Sequence, residues 1–460
     1  MEPKIASRRL PAPRPARSRT RAARMAALLL AAALAACAQH VPYRAELTAC
    51  DNGQDPRACA AHFIESHPEY LLGFVEFDDQ GWFWDRRQMW KLLDVLSAEV
   101  HRQDLLIVVF AHGWKHNANV CDGNVCCFRE TLKQISRLER SASGAAKREP
   151  RKVVGIYLGW RGLSLEGEWL ANLSFWERKN TAAEVGHGAV TELLARLNSL
   201  RYIHRHVTGE PTPTGTQLVI VGHSFGGAVV YSAVSQLLVD RFIDYRGEGK
   251  PPEAFGDLVV LVNPAFEATR YETLHAMALE RSYLPGQLPI LAVMTSYDDQ
   301  ATRKAFPLGR WFSTWFEQYR SKDQDLADHR TVGHFPRHRT HTLTATAPPA
   351  RPPRPAPDAA ERCACPYFNA DALRDKADTD LRQLIDYRSA WRDGRLAPGW
   401  QQEFPGTLLT HRPSAPGSHP LNPFLVIGVD DQVIHGHNDI YRPAFIDFLR
   451  QMILLSAPGK

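Results

Sequence analysis

From about residue 70 onward, short apolar runs alternate with longer amphipathic segments. The runs are Tyr70–Phe77, Leu105–Ala111, Val153–Trp160, Gln217–Gly222, Leu258–Val262, Leu288–Thr295 and Phe424–Val429. Several are nearly unbroken in Val, Ile, Leu and Phe, a pattern that suits strands buried on both faces of a parallel sheet. The segments between them change period. Phe128, Leu132, Ile135 and Leu138 recur at helical spacing, as do Val185, Ala189, Leu193 and Leu197. Phe445, Phe448, Leu449, Met452 and Ile453 fall on one face of a final helix. Alternating strands and helices predict an α/β fold, a mostly parallel sheet flanked by helices and joined by right-handed crossovers. The folded domain is expected over residues 69–460.

Three stretches depart from the repeat. Residues 37–68 lack a clear period and read as a tether followed by irregular structure. Residues 161–180, rich in Trp and charge, read as loop or cap. Residues 345–358 are rich in Pro and read as an extended linker. They open an insertion over about 345–415, ahead of the last strand. A chain of 460 residues that is 44% hydrophobic can bury a large core.

The net charge of +5 sits almost wholly at the front. Residues 1–24 hold eight basic side chains against one acid, and the remainder carries −2. The folded part therefore offers no broad attraction for phosphate backbones, which disfavours a nucleic-acid partner. Behind the basic stretch, Met25–Ala36 is an apolar run of twelve residues. That is too short for a membrane-spanning helix and suits the core of a signal peptide. Its end, Leu34-Ala35-Ala36-Cys37, resembles the lipobox of bacterial lipoproteins. The resemblance implies cleavage after residue 36 and lipidation of Cys37 by several acyl chains such as palmitate. Two or more chains give stable membrane attachment. By the family's sorting rule, Ala38 favours the outer membrane or the periplasmic face of the envelope.

Export permits disulfides. Cys50 with Cys59 is one local candidate, and Cys121 with Cys126 or Cys127 another. Cys363-Ala-Cys365 has no second pair at ligand spacing, so no metal site is expected there.

Gly222-His223-Ser224-Phe225-Gly226 matches Gly-x-Ser-x-Gly. It stands between an apolar run and a helix-like segment, the setting this motif requires. Ser224 would sit on a sharp turn with its hydroxyl projecting from the sheet, and the glycines would let strand and helix approach. The sequence here resembles the α/β-hydrolase superfamily, in its esterase and lipase branch. After Leu105–Ala111 comes His112-Gly113-Trp114, which resembles the family's oxyanion loop. The resemblance implies backbone N–H donors from Trp114 and Phe225, with His112 structural. It also implies the order Ser, acid, His. Asp299 is the preferred acid with Asp298 its rival, and His437 the preferred base with His435 its rival. A metal set from His435, His437 and Asp439 is the competing reading of that loop. His334, His338 and His341 lie among arginines and read as a solvated loop. The Trp82–Trp84 stretch, Trp90, Trp169 and Trp176 read as core packing and edge cover, with an acyl pocket or membrane contact as the alternative. Arg161 is expected in a salt bridge.

The expected function is serine-dependent hydrolysis of small-molecule or lipid carboxylic esters through an acyl-enzyme, with no cofactor or metal. The alternatives are an acyltransferase or amidase on the same scaffold, or a non-catalytic envelope scaffold.

Overall fold

The computed structural model describes residues 40–51, 55–163, 175–207, 210–213, 215–244, 254–346, 363–367, 385, 388–413 and 419–456. The expected signal peptide over 1–36, Cys37, Trp169 and most of the Pro-rich stretch lie outside the described residues.

The fold is α/β, with an open, mostly parallel sheet flanked by helices. In chain order the strands are β1 Glu46–Asp51, β2 His62–Ser66, β3 Tyr70–Glu76, β4 Leu105–Ala111, β5 Lys152–Gly159, β6 His204–Val207, β7 Glu210–Pro213, β8 Gln217–His223, β9 Leu258–Val262, β10 Leu291–Ser296, β11 His341–Ala345, β12 Gln401–Phe404, β13 Thr407–His411 and β14 Phe424–Val429. Twelve of them form one sheet in the order β1-β2-β3-β5-β4-β8-β9-β10-β14-β11-β13-β12, and β6 and β7 form a separate hairpin. From β3 to β11 every neighbouring pair is parallel. β13 and β12 close that side in antiparallel fashion.

The pattern of burial explains which strands form the middle. Every residue of β4, β8, β9, β10 and β14 is buried, as strands covered on both faces require. β13 alternates buried and half-buried positions, and β1 is largely exposed.

The helices are α1 Arg86–Arg102, α2 Gly123–Ala145, α3 Phe175–His187, α4 Ala189–Ser199, α5 Phe225–Asp244, α6 Glu272–Leu279, α7 Phe306–Ser313, α8 Lys322–His329 and α9 Pro443–Leu455. Asp side chains cap the starts of α1 and α2, where Asp85 and Asp122 accept backbone N–H bonds.

Several expectations need correction. Residues 37–68 are not merely a tether, because β1 and β2 extend the sheet. β2 pairs antiparallel with β3, and β1 runs parallel to β2. The two strands are short and rich in polar residues, so their period is weak. A buried ion cluster fixes them: Glu65 accepts from Arg44 at 3.0 Å and from Arg129 of α2 at 2.7 Å. The backbone N–H groups of Tyr43 and Arg44 donate to the Glu76 carboxylate at 2.9 and 2.7 Å, at the carboxyl end of β3. Residues 175–180, expected as loop or cap, begin α3. The helix expected through Val185 and Leu197 is broken at Gly188, between α3 and α4. The insertion before β14 contributes β12 and β13.

Cysteine pairing also differs. Cys50 joins Cys59, but Cys121 joins Cys363 and Cys127 joins Cys365, leaving Cys126 as a buried thiol. Local spacing favours short loops, whereas the fold returns residues 363–365 to the start of α2. His334, His338 and His341 are buried rather than solvated. His338 bonds Glu272 at 2.8 Å, and His341 meets Thr340 Oγ1 at 2.8 Å.

Candidate functional site

Chain connectivity reverses at the middle of the sheet. From β4 the chain moves through α2 to β5 on one side, and from β8 through α5 to β9 on the other. β4 and β8 are neighbours, so the switch in winding direction falls between their carboxyl ends, the position at which open α/β sheets hold ligands. The loops leaving β4, β8, β10 and β14 all emerge on this edge.

Ser224 stands between the end of β8 and the start of α5. Its φ is +55°, a left-handed conformation that costs energy for a residue with a Cβ. The turn is fixed by Ser224 N–H donating to Val262 O at 2.9 Å. A Cβ on Gly222 would come within 2.5 Å of Gly226 O, and one on Gly226 would overlap Ala111 O. Glycine at both positions lets strand and helix close on each other.

Asp299 follows β10 and His437 follows β14. Nε2 of His437 lies 2.6 Å from Ser224 Oγ, and its Nδ1 lies 2.8 Å from Asp299 Oδ2. Three chain segments are thereby joined in one hydrogen-bonded line. Asp299 is fully buried and also accepts from the backbone N–H and the hydroxyl of Thr302. Burial alone would raise its pKa, but the neighbouring imidazole and these donors hold it at about 2. The rivals form their own pair nearby, with His435 Nδ1 3.5 Å from Asp298 in an exposed contact.

The loop carrying His437 is fastened by groups that sequence reasoning missed. Asn263, at the end of β9 with φ +45°, donates from Nδ2 to His437 O at 2.9 Å and to Gly436 O at 3.2 Å. Its Oδ1 accepts from Ser296 N–H. His223 Nε2 lies 2.9 Å from the same His437 oxygen. Burial, with the neighbouring His437 charge, holds His223 down at about 3, so the ring is neutral and Nε2–H is the donor. Ser296 Oγ donates to Ile434 O at 2.7 Å. The available signal for Asn263 was its position directly after an apolar run, Leu258–Val262.

Gly113 abuts the nucleophile, since a Cβ there would lie 2.8 Å from Ser224 Cβ. Among the described residues neither the Trp114 nor the Phe225 backbone N–H has an acceptor. His112 is structural in its contacts. Trp160 N–H donates to its Nε2 at 3.2 Å, Trp160 Nε1 donates to its backbone oxygen at 3.0 Å, and the two rings stack. Burial lowers this histidine to about 4. Phe175 packs between the Trp114 and Phe225 rings at 5.4 and 4.9 Å, an apolar wall beside Ser224. Trp176 continues it. Trp82 is mostly exposed and Trp90 partly so, which excludes core packing for these two. Arg161 pairs with Asp79.

Asp439 accepts from Tyr367 Oη at 2.8 Å and pairs with Arg442. Among the described residues no three His, Cys, Asp or Glu side chains converge as a metal set. Nor is any described helix long and apolar enough to cross a membrane. Comparison with family models, curated proteins and solved structures finds no match to this chain.

Proposed function

We propose that the protein is a serine hydrolase of carboxylic esters, built on an α/β-hydrolase fold. The observation that carries the reading is the continuous line from Ser224 Oγ through His437 to Asp299, at 2.6 and 2.8 Å. The reversed connectivity between β4 and β8 and the strained turn at Ser224 support it.

His437 Nε2 takes the Ser224 proton as Oγ attacks the ester carbonyl. Asp299 accepts from His437 Nδ1–H and stabilises the imidazolium that forms. The oxyanion of the tetrahedral intermediate takes the free N–H groups of Trp114 and Phe225, each worth about 3–4 kcal/mol in such sites. The C–O bond to the alcohol then breaks, and His437 returns the proton to the departing oxygen. Water, deprotonated by the same imidazole, attacks the acyl-Ser224 ester. The acid is released and the hydroxyl of Ser224 is restored. Phe175 and Trp176 favour an apolar acyl group.

Lipidation at Cys37 belongs to the same reading and puts the enzyme at the bacterial cell envelope. Labelled palmitate should enter the wild-type chain and not Cys37→Ser.

The deciding experiment uses a fluorophosphonate probe and a panel of p-nitrophenyl esters. Wild type should be labelled and should hydrolyse esters, and Ser224→Ala should do neither. Folded wild type that resists the probe would sink the proposal. Amine and alcohol acceptors added to the assay separate hydrolysis from acyl transfer.

A further inference from the structure

A cavity of about 520 Å³ opens beside the start of α7. It is lined by Tyr297, Arg303, Arg330, His334 and Arg339, with two prolines completing the wall. Ser224, Asp299 and His437 do not line it. We propose that this cavity binds a phosphomonoester, either the headgroup of a phosphorylated lipid or a soluble phosphorylated molecule.

The case begins with charge. Among the described residues no carboxylate lies within ion-pair distance of Arg303, Arg330 or Arg339. Elsewhere the buried Arg44 and Arg129 share Glu65, the buried Arg151 takes Glu139, and the half-buried Arg310 takes Asp328, whereas the half-buried Arg330 and Arg339 and the exposed Arg303 have no such partner among the described residues. In the cavity two of the guanidinium groups meet carbonyl oxygens instead. Arg303 Nη1 donates to Tyr297 O at 3.2 Å, and Arg339 Nε donates to Gly333 O at 2.8 Å. Burial lowers the Arg339 pKa, and the charges of Arg412, Arg330 and Arg303 lower it further. Three like charges collected round a hollow without a counter-ion repel one another, and a bound anion relieves that repulsion.

Chemistry narrows the anion. Three guanidinium forks supply more donors than one carboxylate can accept, whereas a phosphate monoester presents three equivalent oxygens and close to two negative charges. The volume falls within the range of small-molecule sites, larger than a bare ion fills, so an organic group attached to the phosphate fits. The cavity also adjoins the triad from behind. His334 Nε2 lies 3.1 Å from Thr302 Oγ1, and that hydroxyl donates to Asp299.

The test is titration calorimetry of the full mature chain with inorganic phosphate and with glycerol 3-phosphate, beside flotation with vesicles of phosphatidic acid or phosphatidylcholine. Binding of glycerol 3-phosphate to wild type should weaken at least tenfold in the Arg303→Gln/Arg330→Gln variant. The melting temperature of that variant without ligand should be equal or higher, because like charges have been removed. Flotation with phosphatidic acid that glycerol 3-phosphate competes away identifies the lipid headgroup as the ligand. Calorimetric binding without flotation identifies a soluble one. The proposal is overturned if neither probe binds wild type, or if the double variant binds equally well. These readouts do not involve Ser224, so they stand or fall separately from the hydrolase reading.

Discussion

Two adjacent acids give the sharpest test at the level of single residues. Asp299 is buried against His437, and Asp298 faces the exposed His435. Asp299→Asn should lower kcat by up to about 10⁴-fold, as loss of the orienting carboxylate does in other triads, while Asp298→Asn should stay within about twofold. Steady-state kinetics on one p-nitrophenyl ester decides the matter, and equal losses in both variants would remove Asp299 from the proposed role. Asn263 acts through its neighbour, fixing the backbone of His437. Asn263→Ala should lower kcat with little change in KM, and Asn263→Asp, which loses the donor, should not restore it. Ser224, Asp299 and His437 were legible because each follows an apolar run in the order the resemblance implies. The groups that steady them were not. Asn263, His223 and Thr302 act through carbonyl and hydroxyl contacts between distant segments, and such contacts leave no spacing signal. His334 is buried although flanking arginines suggest solvent, because the fold turns Arg330 and Arg339 toward a cavity while Arg337 stays at the surface.

Elements were readable in proportion to their burial. β4, β9 and β14 stand where their unbroken apolar runs lie, and β10 is shifted toward the carboxyl side of its run. β1 and β2 escaped because both are short and rich in polar residues, and β1, at the edge, is largely exposed. The close approach of β4, β8 and α5 can be tested directly. Gly226→Ala places a methyl against the Ala111 carbonyl and should cost at least about 3 kcal/mol of stability, the upper range for overpacking. Urea denaturation measures it, and a loss below 1 kcal/mol, on the order of a surface change, would contradict the tight approach. The disulfides from α2 to Cys363 and Cys365 are a second test. Each Cys→Ser replacement should lower stability by about 2–4 kcal/mol. Peptide mapping without reductant should recover both cross-links, and local Cys121–Cys126 or Cys121–Cys127 linkage would refute the pairing.

For the molecule as a whole, buried histidines set the response to acid. Burial depresses His112, His275 and His334 to about 4 and His223 to about 3. Unfolded, each would take its proton near pH 6.5. The folded state refuses protons that the unfolded state binds, so their contribution is full above about pH 6.5 and falls as pH drops toward 4. Asp299 and Glu139, both held at about 2, keep their contribution until the pH falls below about 4 and lose it on the way to 2. Urea midpoints should therefore decline steadily from pH 7 to pH 4, and a flat profile would show that these rings titrate normally.

The Glu76 carboxylate that grips the backbone of Tyr43 and Arg44 has a directional consequence. It brings the chain into the fold on the same rim where the nucleophile opens. Cys37 is six residues ahead of Tyr43, a reach of about 20 Å when extended. On the proposed lipidation of Cys37, that entry point would keep the rim carrying Ser224 on the bilayer side. The same proposal would let an ester dissolved in the bilayer reach Ser224 without first crossing bulk water.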